Sequence, residues 1–190
     1  MSTPANPRTR AEALALLEEW VSNPNLRKHC LAVETAMRAY ARRFGEDEER
    51  WGMAGLLHDF DWERHPDAER HPVKGVEVLA EKGYPEDLRR AILGHAAHTG
   101  VPRDTLMARA LFACDELCGF VVACALVTPA KSLAEVEASS VKKKLKRVDF
   151  ARNVNREEIA QGAAELGVPI DEHLGFVLEA LRAARADLGL

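Results

Sequence analysis

The segment GLLHDFDWERHP, Gly55 to Pro66, ends an apolar run in adjacent His58 and Asp59. An imidazole nitrogen beside a carboxylate oxygen is the start of a coordination shell suited to Fe, Mn, Zn, Co or Ni. Consecutive residues at a helix end diverge, so both reach one point only if the backbone turns there. One pair leaves the shell open. Seven histidines occur, six of them between His29 and His98, and His29 and Asp115 are the candidates to complete it. Asp115 lies in ARALFACDELCGFVV, among apolar or small neighbours. A buried carboxylate requires a cation, a hydrogen-bond network or solvent. From the sequence, either Asp115 faces a cation or Asp115 and Glu116 mark a solvent-facing edge.

Helices must carry these side chains, because the hydrophobic period is helical nearly throughout and no alternating strand pattern of useful length occurs. Thr9 and Glu12 form a capping box before Leu14, Leu17 and Val21. Asn23-Pro24 starts a helix that ends at Gly45, with His29 beside its buried stripe. Further helices are predicted from Asp47 to His58, Pro72 to Lys82, Pro85 to His98 and Arg103 to Val127. The last of these is apolar on most sides and therefore central. Leu133 to Arg147, Asn155 to Leu166 and a final amphipathic segment after Pro169 complete the set. The expectation is an all-α single domain over residues 1–190. A bundle of about five core helices, residues 23–128, carries a C-terminal helical extension, residues 131–190.

The chain has 190 residues, 47% hydrophobic and 29% charged, with net charge −4. Such a charge gives no global attraction to nucleic acid or membrane. MSTPANPRTR lacks the apolar core of a secretory leader, and no segment reads as membrane-spanning. Cys30, Cys114, Cys118 and Cys124 all lie in apolar stretches and read as reduced core thiols of a cytoplasmic protein. Cys114 and Cys118 lack a second pair to make a tetrahedral set.

The order His29, then His58-Asp59, then Asp115 resembles the H…HD…D signature of the HD-domain metal-dependent phosphohydrolases. LRKHCLAVETAMRAYARRFG is similar to that family's first ligand helix. MAGLLHDFD is similar to its ALLHDIG segment, and HPVKGVEVL to its HPxxGAxxL helix. GHAAH and ALFACDEL match in order and spacing. The resemblance covers about residues 26–120. It implies that His29, His58, Asp59 and Asp115 ligate one metal. It also implies that Asp59 bridges to a second ion completed by His71 and by His95 or His98, where His-Ala-Ala-His replaces the family's adjacent pair. No GYP triplet and no synthetase-like region follow, which disfavours the cyclic-di-GMP and alarmone branches.

The activity so implied is hydrolysis of a small phosphoester, a nucleotide or related phosphate, by attack of a metal-bound hydroxide. One or two divalent ions would serve, Mg included. Asp59 and Asp61 are the carboxylates expected to act in catalysis, with Asp61 or Glu63 orienting water. Trp62 could stack on a base or sugar. Phosphate calls for cations, and the candidates are Lys74, three residues after His71, and Lys142 and Lys143 in SSVKKKLKRVDFAR. That run lacks the interleaved aromatics of a single-strand binder, so nucleic acid is not the expected partner. Apolar faces on the C-terminal helices permit a homodimer. The alternatives are a non-catalytic metal- or nucleotide-binding sensor or interaction module, and a di-iron oxygenase-like enzyme on the same scaffold.

Overall fold

The computed structural model describes residues 8–190, so the reading of the extreme N-terminus falls largely on residues 1–7, outside the described residues. Ten α-helices follow in order: α1 (Arg10–Trp20), α2 (Pro24–Phe44), α3 (Glu48–Leu57), α4 (Val73–Glu81), α5 (Glu86–His95), α6 (Leu106–Leu126), α7 (Ala138–Leu145), α8 (Arg156–Leu166), α9 (Ile170–Ala183) and α10 (Arg185–Leu188). Strands are absent among the described residues. Local chemistry sets the boundaries. Thr9 and Glu12 close the expected capping box, and Asn23, Asp47 and Thr105 accept from backbone amides at their helix starts. Gly45 ends α2 in the left-handed region at φ 72°, where other residues are strained.

α6 is the central element, touching α2, α3, α5, α7, α8 and α9. Its apolar circumference buries Leu111, Leu117, Phe120 and Val121, as the sequence predicts for a core helix. α2 and α3 form the most extensive helix pair. A Cβ at Gly55 would sit 2.9 Å from the backbone of Val33 and Glu34. On the other side of α6, a Cβ at Gly162 would sit 2.6 Å from the Cα of Ala113, so α8 lies flush against α6. The four cysteines are free and buried, and burial pushes the Cys30 thiol up to about 12. They pack the core, as their apolar surroundings suggest. No helix among the described residues is long and apolar enough to cross a membrane.

Two expected boundaries move. The predicted helix at Leu133–Arg147 divides into a 3₁₀ turn, Leu133–Glu135, and α7. α5 stops at His95, because Ala96 turns extended (φ −92°, ψ 109°) before a 3₁₀ turn at Ala97–Thr99. His95 and His98 therefore do not share a helical face.

A buried pair ties α9 to the centre. The Tyr40 hydroxyl donates to His173 Nδ1 at 2.6 Å, and His173 Nε2–H donates to the Ala113 carbonyl at 2.8 Å. Burial lowers the His173 pKa, so the folded protein keeps this ring neutral. The unfolded chain takes up a proton below about pH 6.5 that the folded chain refuses, so stability is complete above that pH and falls as pH drops. Comparing chemical denaturation at pH 7 and pH 5, the wild type should lose more stability than His173→Gln. The difference should be at most about 1.4 kcal/mol per pH unit.

Candidate metal centre

Six stretches of the chain deliver the polar side chains. His29 comes from the first turns of α2, His58 from the C-cap of α3, Asp59 and Asp61 from the turn beyond it, His71 from the entry to α4, His95 from the last position of α5, and Asp115 from the middle of α6. They form two groups. In the first, His29 Nε2 lies 3.0 Å from Asp115 Oδ1 and 3.1 Å from His58 Nε2, and His58 Nε2 lies 3.3 Å from Asp115 Oδ1. In the second, Asp59 Oδ1 lies 3.3 Å from His71 Nε2 and 3.4 Å from His95 Nε2. Asp59 Oδ2 points back to the first group, 3.5 Å from His58 Nε2 and 3.8 Å from His29 Nε2. One carboxylate thus faces both groups, one oxygen to each.

The donor set fits divalent cations. Ligand bonds of about 2.1 Å put neighbouring donor atoms roughly 3.0–3.4 Å apart, the spacing found here. Three rings are also locked with Nε2 inward. His58 Nδ1–H donates to the Gly55 carbonyl at 2.8 Å, His71 Nδ1–H to Asp61 Oδ1 at 2.8 Å, and His95 Nδ1–H to the Ile92 carbonyl at 2.5 Å. Lone pairs and carboxylate oxygens therefore converge, which is stable only with positive charge between them. Without an ion, protons must supply it. Burial opposes a charged His58, but Asp59 and Asp115 outweigh it and raise its pKa. Burial likewise raises Asp59 and Asp115, and the histidines, His58 foremost, outweigh it and hold both carboxyls well below their usual range. For His71, burial is again outweighed, by bonds to Asp59 and Asp61, and the ring is pushed up to about 9.

Asp61 corrects the sequence reading. It is fully buried, and its two oxygens take His71 Nδ1–H and the Gly75 amide at 2.8 and 2.9 Å. Its burial leaves water no access to either oxygen, and Asp61 does not line the cavity. It aims a histidine instead. A Cβ at Gly75 would meet the Asp61 carboxyl at 2.7 Å, so the glycine makes room for it. Asp61→Asn is expected to weaken divalent-ion binding at the Asp59–His71–His95 group by about 10–100-fold. Metal titration should show one of two binding phases shifted and the other kept.

Other expectations fare unevenly. His98 borders the cavity but stands outside both groups, and its Nε2–H donates to the His71 carbonyl at 2.9 Å. The early end of α5 puts it there. Glu63 is exposed and spent on the entry to α2, accepting from the amides of Ser22 and Asn23. Lys74 pairs with Glu77, and Lys142 with Asp171; neither these nor Lys143 lines the cavity. α7 turns Val141 into the core and Lys142 and Lys143 to solvent, and none of its lysines lines the cavity.

The cavity beside the two groups measures about 620 Å³. Trp62, 42% exposed, stands at its edge against the His71 ring. Glu116, Asn153 and Glu158 form the wall that the sequence reading missed as site residues. Burial and the neighbouring Asp115 push Glu116 up to about 7, and burial raises Glu158. The signal available was the Asn155 helix start, which sets Glu158 in the first turn of α8.

An all-α bundle presenting an ordered histidine–aspartate cradle across α2, α3, α5 and α6 is a metal-binding architecture, and comparison with known proteins gives the class a name. Residues 26–119 match the HD domain family, and through that segment the chain belongs to it. HD domains bind divalent metals and are generally metal-dependent hydrolases. A curated relative, ribonuclease Y of Oleidesulfovibrio alaskensis, is 33% identical over 96 residues, which is 50% of this chain and 18% of the relative. The chain spans less than a fifth of that relative's length. No solved structure matches significantly.

Proposed function

We propose that the protein is a metal-dependent phosphohydrolase acting on a small phosphoester. The observation that carries this reading is the position of Asp59, whose two oxygens face two histidine-containing groups from a single turn. His29, His58 and Asp115 would hold one divalent ion, and His71 and His95 a second, with Asp59 shared between them. Bound there, divalent ions acidify water and polarise a phosphoryl oxygen. The chain's own contribution is positional. Gly55, Asp61 and Ile92 fix the three rings, and the nearby cavity admits a ligand of nucleotide size. Trp62 offers an exposed ring at the rim for stacking against a base.

The relative is named a ribonuclease, but polymeric RNA is not the substrate we favour. No lysine or arginine lines this cavity among the described residues, and a phosphate chain needs cations along its track. The shared carboxylate also suits two irons, and a di-iron oxygenase-like enzyme is the second reading. Elemental analysis of purified protein, with a phosphoester panel assayed in Mn, Co, Ni or Mg, separates the two. We expect one or two divalent ions per chain and turnover of a small ester. Two irons, a mixed-valence resonance signal and no ester cleavage would replace hydrolysis with oxidation.

A further inference from the structure

We infer that Glu116, Glu158 and Asn153 select the alcohol half of the substrate by accepting hydrogen bonds from its hydroxyl groups, and that they reject esters carrying further phosphates. This rests on the phosphohydrolase reading and deepens it.

The cavity is already marked as a ligand site by the converging nitrogen and carboxylate atoms of the two donor groups. What remains is the wall beyond them. It carries Glu116 from α6, Glu158 from α8 and Asn153 from the α7–α8 loop. Neither glutamate forms an ion pair among the described residues, whereas Glu165 on α8 and Asp171 and Glu172 on α9 do. Four carboxylates border the cavity, counting Asp59 and Asp115, and no lysine or arginine does. One phosphoryl group at the donor cradle is compatible with that charge. A second or third phosphate would extend towards Glu116 and Glu158, with no lysine or arginine on the cavity wall to pair with it. Carboxylates and an amide suit hydroxyl donors.

The wall is built rather than incidental. Gly162 lets α8 lie against Ala113, two residues before Asp115, and this holds Glu158, one turn earlier on α8, over the same cavity. The Asn155 amide donates to Glu116 Oε2 at 3.0 Å, joining the start of α8 to α6. The loop presenting Asn153 is gathered by one guanidinium. Arg156 donates to the carbonyls of Leu145, Arg147, Phe150, Ala151 and Val154. Ala151 takes a left-handed φ of 44°, which costs energy for a residue with a Cβ. Phe150 packs edge-on against Phe120 of α6 at 5.5 Å.

The test uses the full-length, metal-loaded protein and three probes: ribose 5-phosphate, n-pentyl phosphate with the same number of carbons and no hydroxyls, and inorganic tripolyphosphate. Turnover is read as kcat/KM. Binding is read separately by calorimetry with the non-hydrolysable phosphonates of the two esters. We expect the hydroxylated member of each pair to be favoured by about tenfold or more, and tripolyphosphate to bind weakly. Glu158→Ala and Asn153→Ala should each shrink the hydroxyl preference severalfold. Glu158→Lys should strengthen tripolyphosphate binding. Because Glu158 and Asn153 lie at the surface, these variants should fold, and circular dichroism with metal content verifies it. Equal handling of both esters by the wild type, or a preference unchanged in all three variants, overturns the inference while leaving hydrolysis standing. A binding preference without cleavage of any ester sustains the inference and removes the hydrolase reading. Absence of binding by either phosphonate overturns the inference.

Discussion

Asp59→Ala should strip divalent ions from both donor groups at once. No other side chain in the cradle faces both, so its loss removes a donor from each, whereas His95→Ala removes one from the second group alone. Elemental analysis is expected to fall from up to two ions per chain to a small residue for Asp59→Ala, and by at most one ion for His95→Ala. Phosphoester turnover should drop by about a thousandfold or more, equivalent to roughly 4 kcal/mol of transition-state stabilisation. The fold should survive, because Asp59 lies in a turn after α3 and is partly exposed. Unchanged helicity by circular dichroism checks that point. Normal metal content in Asp59→Ala would refute the shared-carboxylate arrangement.

The second large effect lies in packing. Gly55→Ala should destabilise the protein and loosen the metal cradle together. The added methyl would lie 2.9 Å from the backbone of Val33 and Glu34, where no side chain can swing aside. α2 and α3 must separate, at a cost of about 1–3 kcal/mol. For a chain of this size that corresponds to roughly 2–12 °C in Tm. Separation also moves His29 on α2 away from His58 at the end of α3, so metal affinity should fall although neither ligand candidate is changed. Gly175→Ala is the control. It sits in α9 with nothing within 4 Å, and the exchange should be neutral or stabilising by up to about 1 kcal/mol. Thermal melts of the three proteins with and without added metal test the contrast.

The helices were legible because apolar periodicity gave each a buried face. His58-Asp59, His29 and Asp115 stood out as polar groups at a helix end or among apolar neighbours, whereas His71 and His95 were marked by the resemblance to the HD-domain family. The errors share a cause: they concern direction, which composition does not encode. Asp61 sits two residues from Asp59 and reads as an equal, but the turn sends its carboxyl inward to His71 and Gly75. GHAAHTG contains nothing to stop a helix before Gly100, yet α5 ends at His95 and turns His98 onto a backbone carbonyl. The lysines of α7 looked poised for phosphate by charge alone, whereas Val141 fixes which side of that helix is buried. Glu158 reads only as the partner of Asn155 in a capping box, and Asn153 does not stand out, because both lie far along the chain from the histidines.

That last distance has a consequence. Every nitrogen and oxygen of the cradle comes from residues 26–119, while two of the three outer wall residues come from beyond that span. If the outer wall selects the ligand as inferred, the cradle and most of that wall come from separate stretches, joined where Gly162 meets Ala113. Exchanging the stretch from about residue 146 to 162 would then alter which ligand the cavity prefers while leaving every donor of the cradle in place.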